Sequence, residues 1–272
     1  MRMTLAGIAM VLTFYFSCLP LLAQEDQKTF LDAVAARDTA TVGTMLERDP
    51  ALANARRPNG NGAVVIAMFA IAKGEEAFHD PKSNELLRLV LAAKPRLDLF
   101  ETAAVGTAEQ LETMLRADPS ALSRRSPFGW TLLHMASFGG NVPAVELLIK
   151  RGADVNDRAK SKFRNTPLQT ALLCGQLGTA RVLLDHGADP LVRQSKGATP
   201  MHEAALLGRI DLLQLLVDHG AELSSVSDNG RTPLAEAIRG KHPEAAEWLR
   251  SKGAVEGIQA DEDAVKAAGK KG

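Results

Sequence analysis

Two short markers recur in this chain at a fixed step of about 33 residues, and that step limits what the chain can fold into. The first marker begins at Thr131, Thr166, Thr199 and Thr232, spaced 35, 33 and 33 residues apart; its first copy reads Thr131-Leu-Leu-His134-Met-Ala136. The second begins at Gly152, Gly187, Gly220 and Gly253 and keeps the same step; its first copy reads Gly152-Ala-Asp-Val-Asn156. Two markers in phase over four copies describe one supersecondary unit repeated along the chain. A unit of 33 residues cannot bury its own apolar face, so such units are stable only when stacked on one another.

Each unit reads as a helix pair. Thr at the head of the first marker suits a helix N-cap. Pro167, Pro200 and Pro233 follow it at the first helical position, where a missing N–H costs nothing. A Gly-containing turn comes next: Gly139-Gly140, Gly175, Gly208 and Gly240. A second helix with apolar pairs follows, as in Val145 to Ile149 and Leu212 to Val217. The Gly of the second marker then ends it in the left-handed conformation that Gly tolerates.

The pattern Thr-Pro-Leu-His-x-Ala at this period resembles the ankyrin-repeat family, and the match is specific from Ser126 to Val255. The resemblance implies an all-α solenoid of stacked helix–turn–helix units joined by short hairpin-like loops. Weaker copies lie upstream. Leu115 and Asp118-Pro119 repeat Leu46 and Asp49-Pro50 at an offset of 69 residues, about two units. The unit between them runs from Ala63 to Leu97, has lost its Thr-Pro and carries an insertion from Ala72 to Ser83. The expectation is about seven units over residues 27–256, with the first and last acting as caps. The tail, 257–272, has no apolar face and is read as a flexible extension.

Residues 1–23 differ from the rest. Arg2 is the only charge before Glu25, and an apolar run ends at Ala23, which describes a secretory signal cleaved after Ala23. Two other readings stay open: an uncleaved membrane anchor, and lipidation at Cys18. Removal of the signal leaves Cys174 as the single thiol, with no internal disulfide. The expected location is the periplasm or outside the cell.

The formal net charge is zero and charged residues make up 24% of the chain. This gives no general attraction to nucleic acid or to a membrane surface. No phosphate-binding glycine loop, nucleophile elbow or His-Glu-x-x-His occurs. His134 and His202 belong to the repeat motif, and the resemblance implies that they bond backbone between neighbouring units. His186 and His219 recur at helix ends and fall short of the three or four converging ligands a metal needs. Cys174 carries no signature of a nucleophile. The reading is a non-enzymatic chain with no metal and no cofactor.

The resemblance also implies a concave face, made of loop tips and first-helix ends, that docks a protein. On it fall Phe128, Trp130, Phe138, Lys162, Phe163, Leu173, Lys196, Leu206, Arg231 and Arg239. Phe128, Trp130, Phe138 and Phe163 cluster although aromatics are only 4% of the chain, and aromatic and Arg side chains dominate binding hot spots. Arg124, Arg125, Arg158, Lys160, Lys162, Arg164, Arg193, Lys196 and Arg231 form a basic edge against Asp157 and Asp228, suited to an acidic partner. Trp248, on a second helix, is expected in the core. The chain as a whole resembles exported or cytosolic bacterial ankyrin proteins. The expected role is that of a monomeric adaptor or scaffold. The alternatives are an inhibitor or immunity-type protein for one enzyme or toxin, and a protective partner of an exported redox enzyme.

Overall fold

The computed structural model describes residues 24–72 and 85–256. Among these residues the chain is helical with no strand; one isolated bridge joins Arg56 and Gly62. The signal segment 1–23, the tail 257–272 and all but the first residue of the Ala72–Ser83 insertion lie outside the described residues. No helix among those described is long and apolar enough to cross a membrane.

The helices gather into two compact units, divided between Arg96 and Leu97. The first contains α1 (24–36), α2 (Thr39–Arg48), α3 (Ala63–Ala72) and α4 (Glu85–Ala92), with a 3-10 turn at Pro50–Asn54. Asp38 caps α2 by accepting from the Thr41 amide at 3.0 Å. Phe30, Val34, Val42, Met68, Leu87 and Val90 are fully enclosed and form its core.

The second unit contains α5 (Leu99–Val105), α6 (Ala108–Ala117), α7 (Leu132–Phe138), α8 (Val142–Lys150) and α9 (Pro167–Leu173). It continues through α10 (Leu177–Asp185), α11 (Pro200–Leu206), α12 (Ile210–Asp218), α13 (Pro233–Arg239) and α14 (Pro243–Ser251). First helices pack on first helices in the order α5, α7, α9, α11, α13, and second helices in the order α6, α8, α10, α12. Leu148 and Leu183, equivalent in α8 and α10, are wholly buried, as are Leu111, Leu168, Leu172 and Leu216.

The local chemistry is that of the markers. The hydroxyls of Thr131, Thr166 and Thr232 accept from the third amide of their helices. Gly152, Gly187, Gly220 and Gly253 end the second helices at φ between 85° and 87°. Between the helices of a pair, Gly140, Gly175 and Gly208 take φ near 66°. The last unit departs from the expected turn: Gly240 is right-handed at φ −70° and Lys241 takes the left-handed position at φ 60°. Gly140, Gly175, Gly208 and Lys241 therefore share one register. Trp248 also departs from expectation: it is half-buried, with the Lys252 ammonium 5.5 Å from its ring centroid.

Candidate protein-binding face

The loops that join one pair to the next are tight hairpin-like turns. Ser126 N donates to Trp130 O at 2.8 Å, Gln194 N to Ala198 O at 2.9 Å and Ser227 N to Arg231 O at 2.9 Å. Gly129, Gly197 and Gly230 hold the positive φ that closes each turn. The loop between α8 and α9 is longer. There Ala159 N reaches Asn165 O at 2.9 Å, so the bonded residues are six positions apart instead of four, and Arg164 supplies the positive φ. Those two extra residues account for the 35-residue step.

Three kinds of side chain tie one unit to the next. His134 Nε2 lies 2.9 Å from Asn165 O and His202 Nε2 lies 3.0 Å from Arg231 O. A carbonyl only accepts, so Nε2 carries the proton, and Nδ1 accepts from the Thr cap of its own helix. Burial lowers the pKa of both rings, which keeps them neutral. Arginines form a second series at the same step. Arg125 Nη1 donates to Arg158 O at 3.4 Å, Arg158 Nη1 to Arg193 O at 3.0 Å and Arg193 Nη2 to Val226 O at 2.7 Å. Asn156 supplies the third: its Nδ2 donates to Gly187 O at 3.0 Å and its Oδ1 accepts from Asp189 N at 2.8 Å.

This sorts the basic edge. Arg125 grips both oxygens of Asp157 at 2.9 and 2.7 Å, Arg124 pairs with Asp118, and Arg193 faces Asp228 at 3.7 Å. Arg231 and Arg239 flank Glu236 at 3.6 and 2.6 Å. Lys160, Lys162, Arg164 and Lys196 remain: all are exposed, and none of these side chains has a counterion among the described residues.

Aromatic residues divide in the same way. Trp130 brings its unit's rings together: Phe138 lies edge-on at 5.4 Å, Phe128 is tilted at 6.4 Å and the His134 ring is stacked at 6.3 Å. Phe138 is 3% exposed, so the expectation that it faces a partner is corrected. Trp130, one residue before the helix cap, folds over it. Phe128 and Trp130 are half-buried. Phe163 stands apart on the long loop, 56% exposed and without a ring partner among the described residues. Phe138, Leu173, Leu206 and Arg239 hold one register, the last residue of α7, α9, α11 and α13. Along that row Leu173 is 44% exposed, Leu206 half-buried and Arg239 exposed.

Two buried groups were not singled out by sequence. Glu203 and Glu236 are equivalent residues of α11 and α13. Glu236 has its two arginines, but the corresponding positions before and after Glu203 are Ala198 and Leu206. Glu203 is 5% exposed and is bonded by the Gln194 carboxamide on one oxygen only. Burial pushes its carboxyl well above the ordinary carboxylate range. Cys174, buried beside it, is pushed up to about 12, first by burial and then by Glu203. Comparing the residues before and after each Thr-Pro across units would have exposed this mismatch. No three His, Cys, Asp or Glu side chains among the described residues gather in metal-binding geometry. His219 pairs instead with Asp185 at 3.1 Å and with Leu215 O at 2.9 Å.

The family model for ankyrin repeats in three copies matches residues 99–194 and 191–260. The chain is 38% identical over 84 residues to protein phosphatase 1 regulatory subunit 27 of Mus musculus, covering 31% of this chain and 53% of that protein. It is 34% identical over 119 residues to ankyrin repeat and SAM domain-containing protein 6 of Rattus norvegicus, covering 44% of this chain and 12% of that protein. A third relative is palmitoyltransferase akr1 of Neurospora crassa, 30% identical over 118 residues, covering 43% and 16%. The chain thus spans about half the length of the first relative and far less of the others. The Thr caps, the histidine bonds to the next unit and the in-register glycines all fall within the matched residues, which make up more than half of the sequence; the chain belongs to the ankyrin-repeat family.

Proposed function

We propose that this chain works by binding rather than by catalysis, docking an acidic protein segment on the face built from loop tips and first-helix ends. One observation carries the reading. The long loop between α8 and α9 presents Phe163, 56% exposed, among Lys160, Lys162 and Arg164, which have no counterions among the described residues. Leu173 and Lys196 extend the exposed apolar and basic character to the neighbouring units. An exposed aromatic ringed by uncompensated cations favours a complementary acidic surface and speeds its encounter. The centre of contact therefore moves from Phe128, Trp130 and Phe138 to Phe163 and Leu173. The name of one relative, a phosphatase regulatory subunit, agrees with a role exerted on another protein.

The N-terminal pattern supports export of the chain to the periplasm or beyond, as a soluble monomer or held by an uncleaved anchor. There it would serve as a scaffold, as an inhibitor or immunity-type protein, or as a guard of an exported redox enzyme. The test is affinity capture from the exported fraction with the wild-type chain beside Phe163→Ala and Lys162→Glu/Arg164→Glu variants. An acidic partner held by the wild type and lost by both variants supports the reading. Capture of the same proteins by all three sinks it. The activity that the captured partner gains or loses separates scaffold, inhibitor and guard.

A further inference from the structure

The Asn156 clamp has an empty counterpart one unit earlier. Asn156 closes on a donor and an acceptor of the next unit, Asp189 N and Gly187 O. The equivalent pair one unit back is Asp154 N and Gly152 O, and the residue in the register of Asn156 is Ser123. Ser123 is too short to span them, and its hydroxyl turns back to Ser120 O at 2.9 Å. Neither Asp154 N nor Gly152 O has a hydrogen-bond partner among the described residues. The space that the clamp would fill is open: a cleft of about 390 Å³ is lined by Ser123, Gly152 and Asp154 over Leu122, Leu132 and Leu133. The Arg125–Asp157 pair forms one wall and neutralises itself there.

The last unit shows that a serine can serve in this register when it reaches. Ser224 Oγ accepts from Val255 N at 3.3 Å, the bond that Ser123 fails to make to Asp154. Leu191, in the same register one unit after Asn156, also leaves Glu222 N and Gly220 O without a partner among the described residues; at the Ser123 junction the open pair lines a cleft.

We infer that the cleft binds the side-chain carboxamide of an asparagine presented by a protein partner. Its C=O would accept from Asp154 N and its NH2 donate to Gly152 O, as Asn156 does one unit later. An uncharged carboxamide offers an acceptor and a donor on one planar group, at the spacing with which Asn156 meets Asp189 N and Gly187 O. The apolar floor and the Asp154 carboxylate at its edge disfavour a carboxylate, and an ammonium has no acceptor to offer Asp154 N. This site is separate from the Phe163 loop and stands whether or not that loop docks a partner.

The test uses the full chain and amide NMR. The probe is N-acetyl-asparagine N-methylamide, with N-acetyl-leucine N-methylamide as the control that carries backbone amides alone. The expected result is a saturable downfield shift of the Asp154 amide with the asparagine probe only. In Ser123→Asn the same amide should start shifted and no longer respond, and the thermal midpoint should rise by about 2–4 °C as the clamp closes. Equal response to both probes would assign the cleft to peptide backbone and overturn the asparagine assignment. No response in the wild type, or an unchanged response in Ser123→Asn, would overturn the site itself.

Discussion

Trp130 lies edge-on to Phe138 with ring centroids 5.4 Å apart, and the indole covers a ring that would otherwise end α7 in the open. Burial, more than residue type, separates the aromatics that hold the unit together from those that can meet a partner. Phe138→Ala is expected to cost ~3–5 kcal/mol of stability in urea unfolding, and Phe163→Ala no more than ~0.5 kcal/mol. Equal losses would mean that Phe163 also packs.

Leu148 and Leu183 occupy the same position in consecutive second helices and are both wholly buried. Truncating either to Ala is expected to cost ~2–5 kcal/mol, measured by the urea midpoint at constant m. A loss below ~1 kcal/mol would contradict the stacking of α8 on α10.

Arg158 and Arg125 look alike in sequence but act on different acceptors. Arg158 donates to a neutral carbonyl, whereas Arg125 also grips Asp157. Arg158→Ala is expected to cost ~0.5–1.5 kcal/mol with little dependence on salt. Part of the Arg125→Ala loss should fade as salt is raised, because it includes an ion pair. Thermal midpoints at low and high salt decide between them; parallel curves would show that the Asp157 pair contributes nothing.

Glu203 gives the chain a stability that declines with rising pH. Its folded pKa lies above the ordinary 4.5, so between those two values the folded state holds a proton that the unfolded state has lost. Stability from this group is full below 4.5, falls as pH climbs from there to the raised value, and is flat beyond. Glu203→Gln should flatten that slope and raise the thermal midpoint at pH 7 to 8, with little change at pH 4. An unchanged slope would show that the carboxyl ionises freely in the fold.

The buried histidines act in the opposite sense. His134 and His202 have folded pKa values below the ordinary 6.5, so the unfolded chain binds protons first as pH falls. Their contribution is present above 6.5 and is lost as pH drops toward the lowered values. Replacing His134 with Gln, the residue that stands at 169 in the same register, should make unfolding less steep between pH 6.5 and 5. A slope that stays the same would place the acid sensitivity elsewhere.

The framework could be read in the sequence because it rests on residues whose local chemistry leaves few options. A Thr before a Pro caps a helix, and a Gly after one ends it, whatever lies around them. The histidine bonds were implied by the family resemblance, which fixes the place of His134 and His202 in the motif. A further local signal lay upstream: Arg57 to Asn61 closes with Arg57 N on Asn61 O at 2.9 Å and Gly60 at φ 85°. It is the turn of Ser126 to Trp130, displaced by 69 residues. The face was harder to read, since exposure there depends on neighbours. Phe138 and Leu173 share a register, yet Trp130 covers one while Asn165, in the equivalent place, leaves the other open. A basic edge also looks uniform until acceptors are assigned; three of its arginines turn out to be fasteners between units.

The long loop has one more consequence. Every bond that crosses its base belongs to Arg158, Ala159, Lys160 or Asn165, and residues 161–164 hold only the bond from Arg164 N to Ser161 O within themselves. The tip can thus be lengthened, shortened or exchanged for foreign sequence with little disturbance to the stack. In evolutionary terms the array keeps its joints and its vocabulary apart: selection can rewrite what the molecule grips without having to solve again how it stands.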